Sequence, residues 1–285
     1  RECIVFKSVI GLIQGRLSPR PSDRLQAFPV DCWWREFETA AELRIPAIEW
    51  IVEADTWNEN PLLFPGGNEL VRRVSESTGV EVRSVCADHV MVHKLAGVSE
   101  SERRRNVAAF QHIIGAAAQV GARRILVPLL ETSALNTPDE EGQARRSLRE
   151  AGEMARACGI VLGLEMDIPG HAYAAFIRSV NHPAVRAYYD TGNSGAQGYD
   201  IATDVLPLLP MLEAVHVKDR ELHGSSRMLG EGAANLRGFL HTLAAANFHG
   251  DFTLQSWFGD DAVGDTEKNY NYFSSLYLEA FRRAA

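Results

Sequence analysis

The chain has 285 residues, with 29 Lys and Arg against 37 Asp and Glu, a formal net charge of -8, 46% hydrophobic residues and 23% charged residues. This composition fits a folded globular protein and excludes a collagen, a low-complexity disordered chain and a disulfide mini-scaffold. Net negative charge opposes phosphate backbones and anionic lipid, so a small molecule is the expected partner, with no nucleic acid and no membrane.

At the N-terminus, RECIVFKSVIGLIQGRL lacks the basic, apolar, small-residue order of a signal peptide. No apolar run approaches the roughly 20 residues of a bilayer span, so a cytoplasmic location is expected. Cys3, Cys32, Cys86 and Cys158 are far apart without a C-x-x-C, which predicts reduced, structural thiols rather than a zinc or redox motif.

Short β-branched, apolar runs are expected as strands at 8–17, 47–53, 80–88, 124–130, 160–166, 185–190, 214–219 and 252–257. Segments with helical spacing separate them, among them NELVRRVSEST, ESERRRNVAAFQHIIGAAAQV and TPDEEGQARRSLREAGEMARAC. Thr137-Pro138-Asp139-Glu140 supplies a cap, an N1 proline and early acids, while Gly79, Gly121 and Gly159 stop three helices. The cores ILVPLL and IVLGLEM are apolar on both faces, as parallel strands sandwiched between a barrel interior and outer helices must be. Eight such units without a Ser, Gly or Pro linker predict an α/β protein whose residues 1–285 form a single (β/α)8 TIM barrel domain. The alternative, an open doubly wound sheet, is weakened because no G-x-G-x-x-G follows the first strand.

Active sites of such barrels lie at the C-terminal strand ends, so polar residues ending apolar strands are the candidates. The last four strands each supply one: Glu165 in GIVLGLEMD, Asp190 in VRAYYDTGN, His216 in AVHVKDR and Gln255 in DFTLQSW. Burying isolated carboxylates is costly, and a shared cation resolves the cost. Two carboxylates, an imidazole and an amide oxygen suit a divalent metal ion, with Mn²⁺ the first expectation and Mg²⁺, Co²⁺ or Zn²⁺ as alternatives.

Those segments, with GLIQGRL, TGVEVRSVCADH and LGEG at 229–232, resemble the xylose-isomerase-like barrel superfamily over essentially the whole chain. The texture is most similar to L-ribulose/L-xylulose-5-phosphate 3-epimerases, ketohexose 3-epimerases and hydroxypyruvate isomerases. The resemblance implies a metal-dependent sugar or sugar-phosphate isomerase or epimerase whose metal ligands and catalytic groups map onto Glu165, Asp190, His216 and Gln255. It also implies frequent homo-oligomers, although the apolar face of KNYNYFSSLYLEAFRRA is explained most simply by packing on its own barrel.

One departure matters. The family uses glutamates on strands five and eight as a proton-transferring pair, and here the second is Gln255, which can ligate through its carbonyl oxygen but cannot act as a base. One-base chemistry through Glu165 remains available, including aldose–ketose isomerisation through an enediol or β-elimination as a lyase. Gln255 also leaves open a catalytically impaired sugar-binding relative or an introduced substitution. A nuclease of the endonuclease IV type is disfavoured by the net charge and by Asn193, which stands where a histidine ligand is expected.

Weaker substrate-binding candidates are Gln14 and Arg16 ending strand one, Glu49 in AIEWIVE, His89 and His93 after strand three, Asn193, and Arg220 or Arg227 beside Ser225-Ser226 as phosphate holders. Each has a plainer alternative: a surface Arg, a strand-end carboxylate, exposed histidines, or a salt-bridged loop around Lys218, Asp219 and Arg220. Trp33, Trp34, Trp50, Trp57 and Trp257 are numerous enough to wall a sugar ring, although each taken singly reads as packing.

Overall fold

The structure, a computed structural model, describes residues 8–20 and 24–282, so Cys3 lies outside the described residues. Its core is a closed parallel barrel built from β1 (Ile10–Ile13), β2 (Ala47–Ile51), β3 (Glu81–Cys86), β4 (Arg124–Pro128), β5 (Val161–Glu165), β6 (Val185–Asp190), β7 (Leu212–Val217) and β10 (Asp251–Leu254). The ring runs β1-β10-β7-β6-β5-β4-β3-β2, which makes the expected (β/α)8 barrel a finding. An antiparallel pair, β8 (Asp219–Arg220) and β9 (Ser226–Arg227), interrupts the seventh unit, between β7 and its helix.

Outside the ring run α1 (Trp33–Glu42), α2 (Gly67–Thr78), α3 (His89–Val92), α4 (Glu100–Gln119), α5 (Pro138–Ala157), α6 (Gly170–Val180), α7 (Thr191–Ala196), α8 (Ile201–Asp204), α9 (Leu236–Ala245) and α10 (Ala262–Arg282). Helix α5 begins with the capping box read from the sequence: Thr137 accepts from the Glu140 amide and Glu140 returns the bond. Helix α10 buries Phe273 and Tyr277, four residues apart, against Phe252 of β10 at ring separations of 5.3 and 5.7 Å. Its apolar face therefore packs on its own barrel. Among the described residues, no helix is long and apolar enough to cross a membrane.

Two corrections to the expected strand bounds have local causes. The first strand ends at Ile13 because Gly15, at φ 78°, turns the chain sharply. The β8–β9 hairpin, which has no periodic signal in the sequence, is organised by one buried carboxylate. Asp219 accepts from the amides of Arg220, Gly230, Gly232 and Ala234 at 2.9–3.0 Å. A Cβ at Gly232 would lie 2.1 Å from Asp219 Oδ1, so only glycine fits there.

The N-terminal end of the barrel is closed by charge. Asp251 Oδ2 accepts from Arg83 Nε at 2.9 Å and Arg124 Nη1 at 2.5 Å, while Oδ1 accepts from the Val9 amide. Arg124 and Arg186 both reach Glu213 at 3.3 Å, tying β3, β4, β6, β7 and β10 together. Burial alone would raise the Asp251 carboxyl, but the two guanidinium groups hold it below its usual range. Trp33 and Trp50 pack with Phe28 and Phe37 in the core, whereas Trp34 is exposed and Trp57 and Trp257 are half-buried.

Candidate metal and active site

Glu165 and Asp190 are the last residues of β5 and β6, and His216 faces Asp190 in the β6–β7 register. Neighbouring parallel strands that end at the same height bring these three side chains together, with one ligating atom of each within 4.8 Å of the others. All three are buried.

The donor set fits a divalent cation. Asp190 spends Oδ1 on the Asn193 amide, capping α7, while its buried Oδ2 has no partner. His216 Nδ1 is also buried without a partner, 3.9 Å from Glu165 Oε2. Burial first, and the Asp190 charge second, push the Glu165 carboxyl well above its normal range, with Lys218 opposing. Lone pairs facing inward from two carboxylates and an imidazole are what a hard or borderline cation needs.

Beneath the triad, His216 Nε2 lies 2.6 Å from Glu49 Oε1, and Tyr188 donates its hydroxyl to Glu49 Oε2 at 2.7 Å. Burial raises the Glu49 carboxyl, but His216, Ser84 and Tyr188 bring it below its usual value. An ionised acceptor at Nε2 fixes the proton there and leaves the Nδ1 lone pair for a cation. Glu49 therefore corrects the expectation of a pocket-facing residue: both of its oxygens are occupied behind the imidazole.

Asn193 donates from Nδ2 to Glu165 Oε1 at 3.3 Å, and Arg220 Nη1 donates to Asn193 Oδ1 at 3.0 Å. The other nitrogens of Arg220 bond the Gly224 carbonyl, so this side chain orients Asn193 rather than offering a free phosphate fork. Arg227 is likewise corrected, because Glu221 holds its guanidinium at 2.9 and 2.6 Å. Arg16 is 1% exposed and donates to the carbonyls of Ser256 and Leu25, a strut rather than an open anion site. Gln14 is turned away as well, accepting from the Ile51 amide.

Gln255 directly follows β10, next to β7, its backbone amide bonded to the Val217 carbonyl. Its Oε1 accepts from Lys218 Nζ at 3.4 Å and its Nε2 donates to Gln26 Oε1 at 2.5 Å. Gln26 in turn donates to Asp88. Sequence reasoning missed Tyr188, Lys218, Gln26 and Asp88 as members of this network. Tyr188 could have been found from alternation, since it shares a strand face with Asp190 two residues on.

His89 begins α3 at the rim, with its ring 4.5 Å from Trp57 and 4.3 Å from His93. Both of its ring nitrogens are buried without partners. Burial, and then His93, lower its pKa from 6.5 to about 4. The unfolded chain binds the extra proton between those values, so His89 makes the fold less stable as pH falls through that window. The expected loss is about 2 kcal/mol at pH 5 relative to pH 7. Urea midpoints at the two pH values should fall by that much more in the natural chain than in His89→Phe, a difference that isolates His89 from carboxyls such as Glu165 whose contribution has the opposite sign.

A family model described as xylose isomerase-like TIM barrel matches residues 37–275. An L-ribulose-5-phosphate 3-epimerase, UlaE, of Salmonella heidelberg (strain SL476) is 26% identical over 241 residues, covering 80% of this chain and 83% of that protein. A solved L-ribulose 3-epimerase superposes with a TM-score of 0.75 at 17% identity, over 97% of this chain and 96% of that one. A xylose isomerase-like TIM barrel protein from Mycobacterium smegmatis, solved in complex with magnesium, gives a TM-score of 0.72 at 21% identity, over 96% of this chain and 98% of that one. With the barrel, the strand-end triad and the match over most of its length in agreement, the chain belongs to the xylose isomerase-like TIM-barrel family.

Proposed function

We propose that the chain is a divalent-metal-dependent isomerase or epimerase of a sugar, sugar phosphate or related hydroxy-carbonyl compound, with residues 1–285 acting as a single barrel domain. The observation that carries this reading is the convergence of Glu165, Asp190 and His216 with two of their buried ligating atoms unpartnered. The curated relative named an L-ribulose-5-phosphate 3-epimerase supports the substrate class.

Glu165, Asp190 and His216 would hold the ion, with Mn²⁺ the first expectation and Gln255 Oε1 a fourth donor. When bound, the ion supplies Lewis-acid polarisation of a substrate carbonyl and its neighbouring hydroxyl. Glu165 takes the proton from the carbon next to the carbonyl, and a carboxyl held above its usual range by burial and the Asp190 charge is a stronger base than a solvated one. Asn193 fixes the Glu165 carboxyl and Arg220 fixes Asn193, so the base is pre-aimed before substrate arrives. His89 and Trp57 offer a polar edge and an apolar face to a sugar chain.

The test is calorimetric titration of metal-stripped protein with Mn²⁺, followed by incubation with L-ribulose 5-phosphate and L-ribulose in D₂O. One ion per chain and solvent deuterium entering the carbon next to the carbonyl are expected. Absence of both overturns the reading. Glu49→Gln provides a second check, because an amide N–H facing Nε2 drives the imidazole proton to Nδ1, the metal-facing nitrogen. Mn²⁺ affinity should fall about 10–100-fold while the fold persists.

A further inference from the structure

Inverting a stereocentre through a planar intermediate requires a proton carrier on each face, and Gln255 cannot be the second. A carboxyl group stands two hydrogen bonds beyond it. Gln255 Nε2 donates to Gln26 Oε1, and Gln26 Nε2 donates to Asp88 Oδ2 at 2.6 Å. The other Asp88 oxygen accepts from the Cys86 thiol at 3.2 Å. The chain of amides has one consistent orientation: the Asp88 carboxylate accepts from Gln26, which leaves the Gln26 oxygen for Gln255 and turns the Gln255 oxygen to Lys218.

Asp88 follows β3, diametrically across the ring from β7, which carries His216. It shares a cavity of about 500 Å³ with Gln26, Arg24, Glu53 and Met91. Asp88 also lies in the field of the triad: its charge acts on Glu165, and His216 and Glu49 act on it. Burial raises its carboxyl above the usual range, with the Gln26 and Cys86 hydrogen bonds opposing.

We propose that Asp88 is the second proton carrier of the site, supplying the carboxyl group that position 255 lacks, with Gln26 and Gln255 as its positioning residues. This rests on the reading of the chain as an enzyme that abstracts a proton next to a carbonyl. Glu165 takes that proton. The C–H electron pair becomes the C=C bond of an enediolate, and the carbonyl oxygen takes the negative charge. On return, the carbonyl re-forms and the C=C pair makes a new C–H bond with the proton given by the Asp88 carboxylic acid on the opposite face. Asp88 is left as a carboxylate and Glu165 as a carboxylic acid, and exchange with water resets both. No oxidant or reductant is needed.

The experiment uses the Mn²⁺-loaded full chain with L-ribulose 5-phosphate in D₂O, following epimer formation and deuterium in recovered substrate by NMR. The natural chain should form the epimer with deuterium in the product. Asp88→Asn should lower epimer formation at least about 100-fold while deuterium still enters recovered substrate through Glu165. Gln26→Ala, which keeps the carboxyl but releases it, should lower the ratio of inversion to exchange and serves as the test if Asp88→Asn does not fold. Epimer formation within about 3-fold of the natural rate in Asp88→Asn overturns the proposal. So does a parallel loss of inversion and exchange in the folded variant, which marks a structural role. Silence of the natural chain in both readouts overturns the underlying reading and this proposal with it, whereas an active natural chain with an indifferent Asp88 overturns this proposal alone.

Discussion

Replacing Glu165 by Gln should lower turnover by about 10²–10⁴-fold, the usual contribution of a positioned general base, and at the same time make the metal-free protein harder to unfold. The two effects share one cause. Glu165 is buried beside Asp190, and its carboxyl is held well above the normal range. A carboxyl whose pKa is raised by folding binds more protons in the native state, so its contribution to stability falls as pH rises above the unfolded value. At pH 7 the metal-free natural chain carries that penalty and the neutral, nearly isosteric amide does not. Thermal melts should place Glu165→Gln above the natural chain without metal. With Mn²⁺ the order should reverse, because only the intact donor set gains stability from binding. A variant that lost activity and also melted lower without metal would contradict this account of the site.

The second large effect lies at the opposite end of the barrel. Asp251→Ala should cost about 3–5 kcal/mol, the range for removing one partner of a buried ion pair. Arg83 and Arg124, with side chains only 14% and 7% exposed, would lose their shared acceptor, and the Val9 amide would lose its own. Among the described residues Glu213 would remain as the acid paired with Arg124, at 3.3 Å. Urea unfolding measures the loss. Mn²⁺ affinity in the still-folded fraction should change far less than stability, because the side chains of Glu165, Asp190 and His216 bond to other partners than Asp251, Arg83 and Arg124.

These two ends differed in how far the sequence revealed them. Glu165, Asp190 and His216 were legible because each is a polar residue ending or interrupting an apolar run, and parallel strands of similar length must deliver such positions to one rim. Glu49 was half legible. Alternation correctly turns it to the barrel interior, but depth along the barrel axis has no signature in one strand, and the side chain proved to sit under His216. Arg220 and Arg227 looked free because ion pairs with Glu221 and bonds to the Gly224 carbonyl depend on a hairpin that no periodicity announces. Gln26 and Asp88 were invisible for a further reason. Residues 26, 88 and 255 meet only because the ring closes, and Gln26 lies in irregular chain between β1 and α1.

The fourfold acceptance by Asp219 constrains how this stretch of the protein can diversify. With the carboxylate in place, position 232 has no room for any side chain, and without it the amides of Gly230, Gly232 and Ala234 have lost their acceptor. The aspartate and the glycine are therefore one choice rather than two. A library that randomises position 232 while keeping Asp219 should return only glycine, and productive remodelling of the hairpin has to vary 219 and 230–234 as a block.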